Sequence, residues 1–233
     1  MNKKRNVAFG LVLALLVGLM AVPALAATIE VPDDYDSITE ALAEADPGDR
    51  IEVDSTYDFD DETFPILVQK DDITIDGNRA VFDGSIPNAL FTVGAKRYVD
   101  KDTGEDKYVR VSGVTISDFE VTGDTPVAFV VKHADDVTIE DNEIIPNFNP
   151  DRTNDNIVNE GIRLIDASES TVENNTITGV GANKQVDSDD NLVGADGIGI
   201  FLQNSTDNEL YDNEVTKSGL GLFIYNSDDD NSD

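Results

Sequence analysis

A chain of 233 residues with 48 acidic and 16 basic side chains has a formal charge of −32, far beyond the magnitude of about 2–8 usual for a small soluble domain. With no basic patch to neutralise phosphates, nucleic-acid binding is excluded as a function class. Cysteine is absent, which excludes disulfide support and thiolate metal or redox chemistry.

The first 26 residues read as a secretory leader. Lys3, Lys4 and Arg5 precede an apolar run from Val7 to Val22, and Ala24-Leu25-Ala26 places small residues at a cleavage site. The run is short for a bilayer span of about 20 residues, and nothing later resembles one. The expectation is a secreted or cell-surface protein of 207 residues, 233 less the leader's 26, with no other membrane segment. Loss of the three leader cations takes the charge from −32 to −35. The acids are spread along the chain, and self-repulsion of this size opposes compaction unless salt screens it, which points to adaptation to high salt.

Residues 27–72 predict a strand, a helix and a strand, and then a first coil. Ser37 with Glu40 three residues on makes a capping box, Ile38, Ala41, Leu42 and Ala45 share one helical face, and Pro47-Gly48 stops the helix. This helix is expected to cap the amino-terminal end of the domain.

From residue 73 to 227 the chain repeats. DVTIEDNEII (136–145), STVENNTIT (170–178) and NELYDNEVT (208–216) align without a gap, bringing Asn142, Asn175 and Asn213 to one position. GVTISDFEVTG (113–123) fits with Phe119 at that place. A second apolar strand lies upstream of each repeat in PVAFVV, GIRLI and GIGIFL, and again in the closing GLFIY. The asparagines are 33 and 38 residues apart, Phe119 and Asn142 are 23 apart, and Gly197 and Gly221 are 24 apart. A coil of about two dozen residues, enlarged by inserts, accounts for all four spacings, and such a period marks a solenoid. Three short strands per coil, with no helix-period pattern, predict an all-β, right-handed parallel β-helix. Asn142, Asn175 and Asn213 are expected to bend the chain in a left-handed conformation and to stack as a structural ladder.

Three segments exceed the repeat: 96–110, with the turn Asp102-Thr103-Gly104 of a hairpin, 146–160, and 181–195. Long inserts of this kind either serve a role or decorate the surface. Within 181–195, Asp187, Asp189 and Asn191 place oxygen ligands at alternating positions, a possible calcium loop, although Leu192 stands where an EF-type loop needs glycine. The last coil, GLFIYNSDDDNSD, is cut short in an acidic tail at 228–233. The expectation here is a truncated relative of longer chains, or an open end that takes a partner or a second copy end to end.

The opening VPDDYDSITEALAEADPGDRIEV, the later ITIDGN and the DNEI, NNTI and DNEV coils resemble the pectin-lyase-like superfamily. More narrowly, they resemble its NosD-type carbohydrate-binding and sugar-hydrolysis repeat proteins. The resemblance covers roughly residues 28–227 and is specific for fold rather than activity. It implies that an extracellular polysaccharide would lie along the outer face of the first strand of each coil, between the long inserts. The hydrolase branch's paired Asp and Gly-His-Gly signatures are missing, as are the esterase branch's Gln-Asp-Thr and Asp-Phe-Ile-Phe-Gly stretches.

Strand alternation turns Ile162, Leu164, Ile198, Ile200, Leu222 and Ile224 inward, and Arg163, Ile165, Phe201, Phe223 and Tyr225 outward. Phe201 over Tyr225, with Phe223 beside them, would make a sugar-stacking row; the alternative is that these rings cover one another. The lyase branch uses Arg or Lys to stabilise enolate-like charge, so the resemblance makes Arg163 the leading catalytic candidate, joined by Lys132 and Asp166. The sole histidine, His133, lies beside Lys132, and zinc chemistry lacks its ligand set. Arg163 in a surface ion pair is the competing account. Three readings stay open: a polysaccharide-binding protein without a catalytic set, a lyase or epimerase acting on a uronate-containing glycan, and a structural envelope protein.

Overall fold

The structure is a computed structural model that describes residues 26–94, 96–101, 104, 106–146, 159–181, 185–186, 192–194 and 196–226. Among these, fifteen strands join one sheet whose pairings are all parallel. The sheet wraps into coils with three faces. The first face stacks Ile66–Val68, Ala89–Gly94, 127–132, 160–165, Ile198–Gln203 and Leu220–Tyr225. The second stacks Thr28–Val31, Arg50–Val53, 74–76, 111–117, 134–140, Thr171–Glu173 and Glu209–Tyr211. The third stacks 80–82, 119–121, Glu143–Ile144, Thr176–Thr178 and Glu214–Thr216. Rungs in such a stack are about 4.8 Å apart. A parallel β-helix results.

Every second side chain on a strand enters the same interior. Ile116, Ile139, Val172 and Leu210 form one inward column on the second face, and Val121, Ile144 and Ile177 form another on the third. Phe91 and Phe129, in register on the first face, stack at 5.8 Å with rings 10° apart. Ile162, Leu164, Ile198 and Ile200 are buried. Leu222 and Ile224 sit over Ile200 and Leu202 but are 37% and 41% exposed, because no described rung covers them. The hollow of about 560 Å³ lined by Ile200, Leu210, Val215 and Leu222 is therefore the inside of the last described coil.

The helix Ile38–Glu44 contacts Thr28–Val31, Arg50–Val53 and Ile66–Val68 and buries Ile38, Ala41 and Leu42. Ser37 Oγ accepts from the Glu40 backbone N–H at 3.1 Å. The remaining first-turn donors use a residue the sequence pattern did not single out. The Glu62 carboxylate accepts from the Ile38 and Thr39 backbone N–H groups and from the Tyr57 hydroxyl.

The corners explain the paired asparagines and correct one expectation. The left-handed residue at the bend from second to third face is Asp118, Asp141, Asn174 or Asp212, with φ of 53–57°. Asn142, Asn175 and Asn213 come one residue later, and none has positive φ. So in Asn174-Asn175 the first residue bends the chain, where Asn and Asp are the non-glycine residues best tolerated, and the second turns into the ladder. The bend from first to second face is likewise made by single left-handed residues, His133, Asp166 and Asn204, and Asn226 has the same φ at the corresponding place after the last described strand.

The ladder is continuous. Asn142 Oδ1 accepts from the Phe119 backbone N–H (3.0 Å), Asn175 Oδ1 from the Asn142 N–H and Nδ2 (both 3.1 Å), and Asn213 Oδ1 from the Asn175 N–H (3.1 Å) and Nδ2 (3.0 Å). Each Nδ2 also donates to backbone carbonyls. Asn142 and Asn175 are buried. A second polar column escaped the sequence pattern: Ser170 Oγ accepts from the Val137 N–H, and Asn208 Oδ1 from the Ser170 N–H.

The inserts leave from two corners. Lys96–Val99 and Asp106–Val109 form an antiparallel hairpin between the first and second faces. The segments between 146 and 159 and between 181 and 196 both link the third face back to the first.

Candidate functional site

The outward side of the first face holds two columns. One runs Thr92, Val130, Arg163, Phe201, Phe223, and the other runs Gly94, Lys132, Ile165, Gln203, Tyr225. This corrects the expected aromatic row. Phe201 stacks on Phe223, with ring centroids 5.5 Å apart and planes 10° apart, whereas Tyr225 lies over Gln203. The reason is the glycine column inside the coils. Gly161 pairs with Gly199, and Gly199 with Gly221, not Gly197 with Gly221. A Cβ on Gly199 would come within 2.7 Å of the Gly221 carbonyl and 2.3 Å of Val215, so this position admits no side chain.

Arg163 is held from two sides. Its guanidinium lies over the Phe201 ring, 5.6 Å from the centroid, a cation–π geometry. It also makes a two-pronged ion pair with Glu160, Nη2 to Oε1 at 2.7 Å and Nε to Oε2. The Glu160 side chain is 2% exposed. Burial pushes its carboxyl above the usual carboxylate range, and Arg163 pulls it back. A carboxylate in that place needs its cation. The ion pair joins a buried acid to a partly exposed arginine rather than two surface groups.

Asp166 faces elsewhere. At the corner between first and second faces, Arg110 reaches across successive coils. Its Nε and Nη2 bind both oxygens of Asp135 (2.6 and 2.7 Å), and Nη1 binds Asp166 (3.1 Å). Nη2 also donates to the carbonyls of Ala134 and Asp166. The Arg110 guanidinium holds Asp135 below the usual carboxylate range. His133 Nδ1 meets Asp166 Oδ2 at 2.6 Å, and Tyr108 from the hairpin stacks on the imidazole with centroids 4.0 Å apart. Arg110 thus ties the base of the hairpin to the next two coils.

Lys132, His133 and Tyr108 line a hollow of about 120 Å³ with Leu67, Gln69 and Thr92. Ligand-enclosing pockets are typically about 300–1,000 Å³. This hollow is smaller than such a pocket. Of the three catalytic candidates, Arg163 is engaged by Glu160 and Asp166 by Arg110 and His133, while Lys132 belongs to the hollow. Asp187, Asp189 and Asn191, the calcium candidates, lie outside the described residues, as do the leader and the acidic tail. Among the described residues, no three His, Asp or Glu side chains are grouped to hold a metal, and no helix is long and apolar enough to cross a membrane.

The second face has a feature that no motif announced. Thr74, Thr115, Thr138 and Thr171 form one outward column and Glu52, Asp76, Ser117, Glu140 and Glu173 the next. Burial, then the neighbouring Glu173 and Asp141, push the Glu140 carboxyl up; burial, then Asp76 and Asp141, do the same to Asp118. Arg50 relieves one end by pairing with Glu52 and Asp76.

No curated protein and no solved structure matches the chain at a significant level. The family profile described as "Right handed beta helix region" matches residues 66–232, which spans every coil from the first strand of the first face onward. By its parallel rungs, its three faces and that match, the chain belongs to the right-handed β-helix family.

Proposed function

We propose that this is a secreted or cell-surface β-helix protein that binds polysaccharide along its first face and does not cleave it. The observation that carries the reading is the strip in which Arg163, Phe201 and Phe223 stack in register, with Phe223 41% exposed and Tyr225 beside it 49% exposed. The Phe201 ring is itself covered, by Arg163 on one side and Phe223 on the other, so it backs the strip, and the exposed parts of Phe223 and Tyr225 are what would meet the C–H faces of sugars. Arg163, already neutralised by Glu160, positions the strip without adding net charge. The lyase reading ranks below this one because the charged groups of Arg163 and Asp166 are each committed to a different partner.

Binding isotherms against a glycan panel in molar salt test the proposal. Phe201→Ala or Phe223→Ala is expected to weaken the preferred glycan about three- to tenfold, the equivalent of ~0.5–1.5 kcal/mol of lost ring interaction. No binding to any glycan overturns the reading. Ultraviolet-absorbing unsaturated products would replace it with a lyase.

The charge supports a second element of the proposal, adaptation to concentrated salt. With the Debye length near 3 Å at 1 M and 30 Å at 0.01 M, the carboxylates crowded on the second face repel one another far more in dilute buffer. Thermal unfolding followed by circular dichroism is expected at a clearly lower temperature in millimolar than in molar sodium chloride. Equal melting temperatures would refute it.

A further inference from the structure

Basic residues are scarce in this chain and unevenly placed. Of the thirteen lysines and arginines after the leader, Lys96, Arg97, Lys101, Lys107 and Arg110 lie in the hairpin segment, and Lys132 sits at the corner beneath it. Segment 96–110 contains five basic against four acidic residues in a protein whose overall charge is −32.

The hollow at this corner has the chemistry to match. Tyr108, Thr92, Gln69 and Lys132 are among its lining residues, and they carry two hydroxyls, an amide and an ammonium. Among the described residues none of these polar ends meets a hydrogen-bond or ion-pair partner. Lys132 is exposed, and two acids of this corner, Asp135 and Asp166, are already bound by Arg110. A lysine without a counter-charge is unexpected where carboxylates outnumber cations threefold. Backbone packs closely at this corner: Gly94 pairs with Lys132, and a Cβ on it would stand 2.7 Å from the Lys132 carbonyl oxygen. Tyr108 is fixed by its stack on His133, and His133 by Asp166.

We propose that this hollow receives a small oxyanion, a carboxylate or a sulfate, with Lys132 as its counter-charge and the Tyr108 and Thr92 hydroxyls as donors. At about 120 Å³ it fits a substituent and not a sugar ring. Resting on the polysaccharide reading, the inference names the ligand class: a glycan bearing anionic substituents, its backbone on the first face and a charged group in the hollow. Hydrogen bonds with a charged partner are the stronger kind, so Lys132 is the discriminating residue.

His133 is the only histidine in the chain, which makes its imidazole C–H resonances a reporter inside the site. The experiment titrates the full secreted chain, at constant ionic strength with chloride as background, with sodium sulfate, methyl glucuronoside and methyl glucoside. Saturable imidazole shifts are expected with sulfate, with the glucuronoside or with both, which identifies the preferred anion, and none with the glucoside. Lys132→Met, which keeps the stem and removes the charge, is expected to weaken the anion at least tenfold while the His133 resonances of the free protein stay in place. Linear shifts that match the chloride control, or a saturable response that Lys132→Met leaves intact, overturn the oxyanion site. Polysaccharide binding without any imidazole response removes this inference alone. Saturable small-anion binding with no polysaccharide binding removes the polymer reading and leaves the oxyanion site.

Discussion

Asn175→Ala is expected to destabilise the protein by roughly 3 kcal/mol or more, the largest effect of any single polar substitution here, since each buried polar group left without a partner costs about 1–3 kcal/mol. The side chain is 1% exposed. Its Oδ1 accepts from both the Asn142 backbone N–H and Asn142 Nδ2, and its Nδ2 donates to the carbonyls of Ile139 and Glu173 and to Asn213 Oδ1. Truncation therefore strands buried groups on two neighbouring coils. Asn175→Asp keeps the shape and the acceptor but loses the donor, and puts a charge in the interior. Burial would raise the folded-state pKa of that carboxyl above its unfolded value. Its favourable contribution would then be present below the unfolded pKa and lost as pH rises through the folded one. The deficit of Asn175→Asp relative to wild type should therefore narrow in acid, whereas that of Asn175→Ala should not. Denaturant midpoints in molar salt measure both, and a loss below about 1 kcal/mol for the alanine variant would mean that the ladder is decorative.

The second large effect concerns the ion pair under the aromatic strip. Arg163→Met is expected to cost about 3 kcal/mol at neutral pH, because breaking a buried pair leaves an uncompensated charge. The group left behind is Glu160, whose side chain is 2% exposed. Its carboxyl is already raised by burial, and without Arg163 it is raised further. Protonation again favours the folded state, so the penalty grows as pH climbs through the folded-state pKa and shrinks below the unfolded one. Adding Glu160→Gln to Arg163→Met should recover most of the loss at pH 7. A double-mutant cycle on melting temperature and denaturant midpoint checks this, and additive losses would refute the coupling.

How much of this was legible depends on distance along the chain. The repeat, the ladder positions and the inward-facing residues are set by apolar alternation within single coils, where neighbours in sequence are neighbours in space. Which asparagine of the pair bends the chain was not legible, because Asn174 and Asn175 are both compatible with a left-handed φ, and only the ladder geometry separates them. The register of Phe201 is ambiguous in the sequence for a similar reason. GIGIFL offers two glycines, and aligning Gly197 with Gly221 sets Phe201 over Tyr225. The 38-residue spacing from Asn175 to Asn213 also connects Gly161 to Gly199, which makes Gly199 the glycine in register, and its pairing with Gly221 sets Phe201 over Phe223. Arg110, Asp135, Asp166 and Tyr108 could not be joined from sequence at all. Their meeting requires knowing that a long insert returns the chain to its starting corner. Glu160 was hidden likewise, as the last residue of an insert among 48 acids.

The hairpin has a consequence for how such a molecule can change. Gly94 and Val111, on either side of it, stay in register with Lys132 and Ala134, so residues 95–110 occupy the place that the next coil fills with His133 alone. The rungs above and below do not sense the length of what leaves between them. Segment 95–109 can therefore be treated as a cassette, exchangeable for another loop while the supporting wall is inherited unchanged, provided the arginine at its downstream joint is retained.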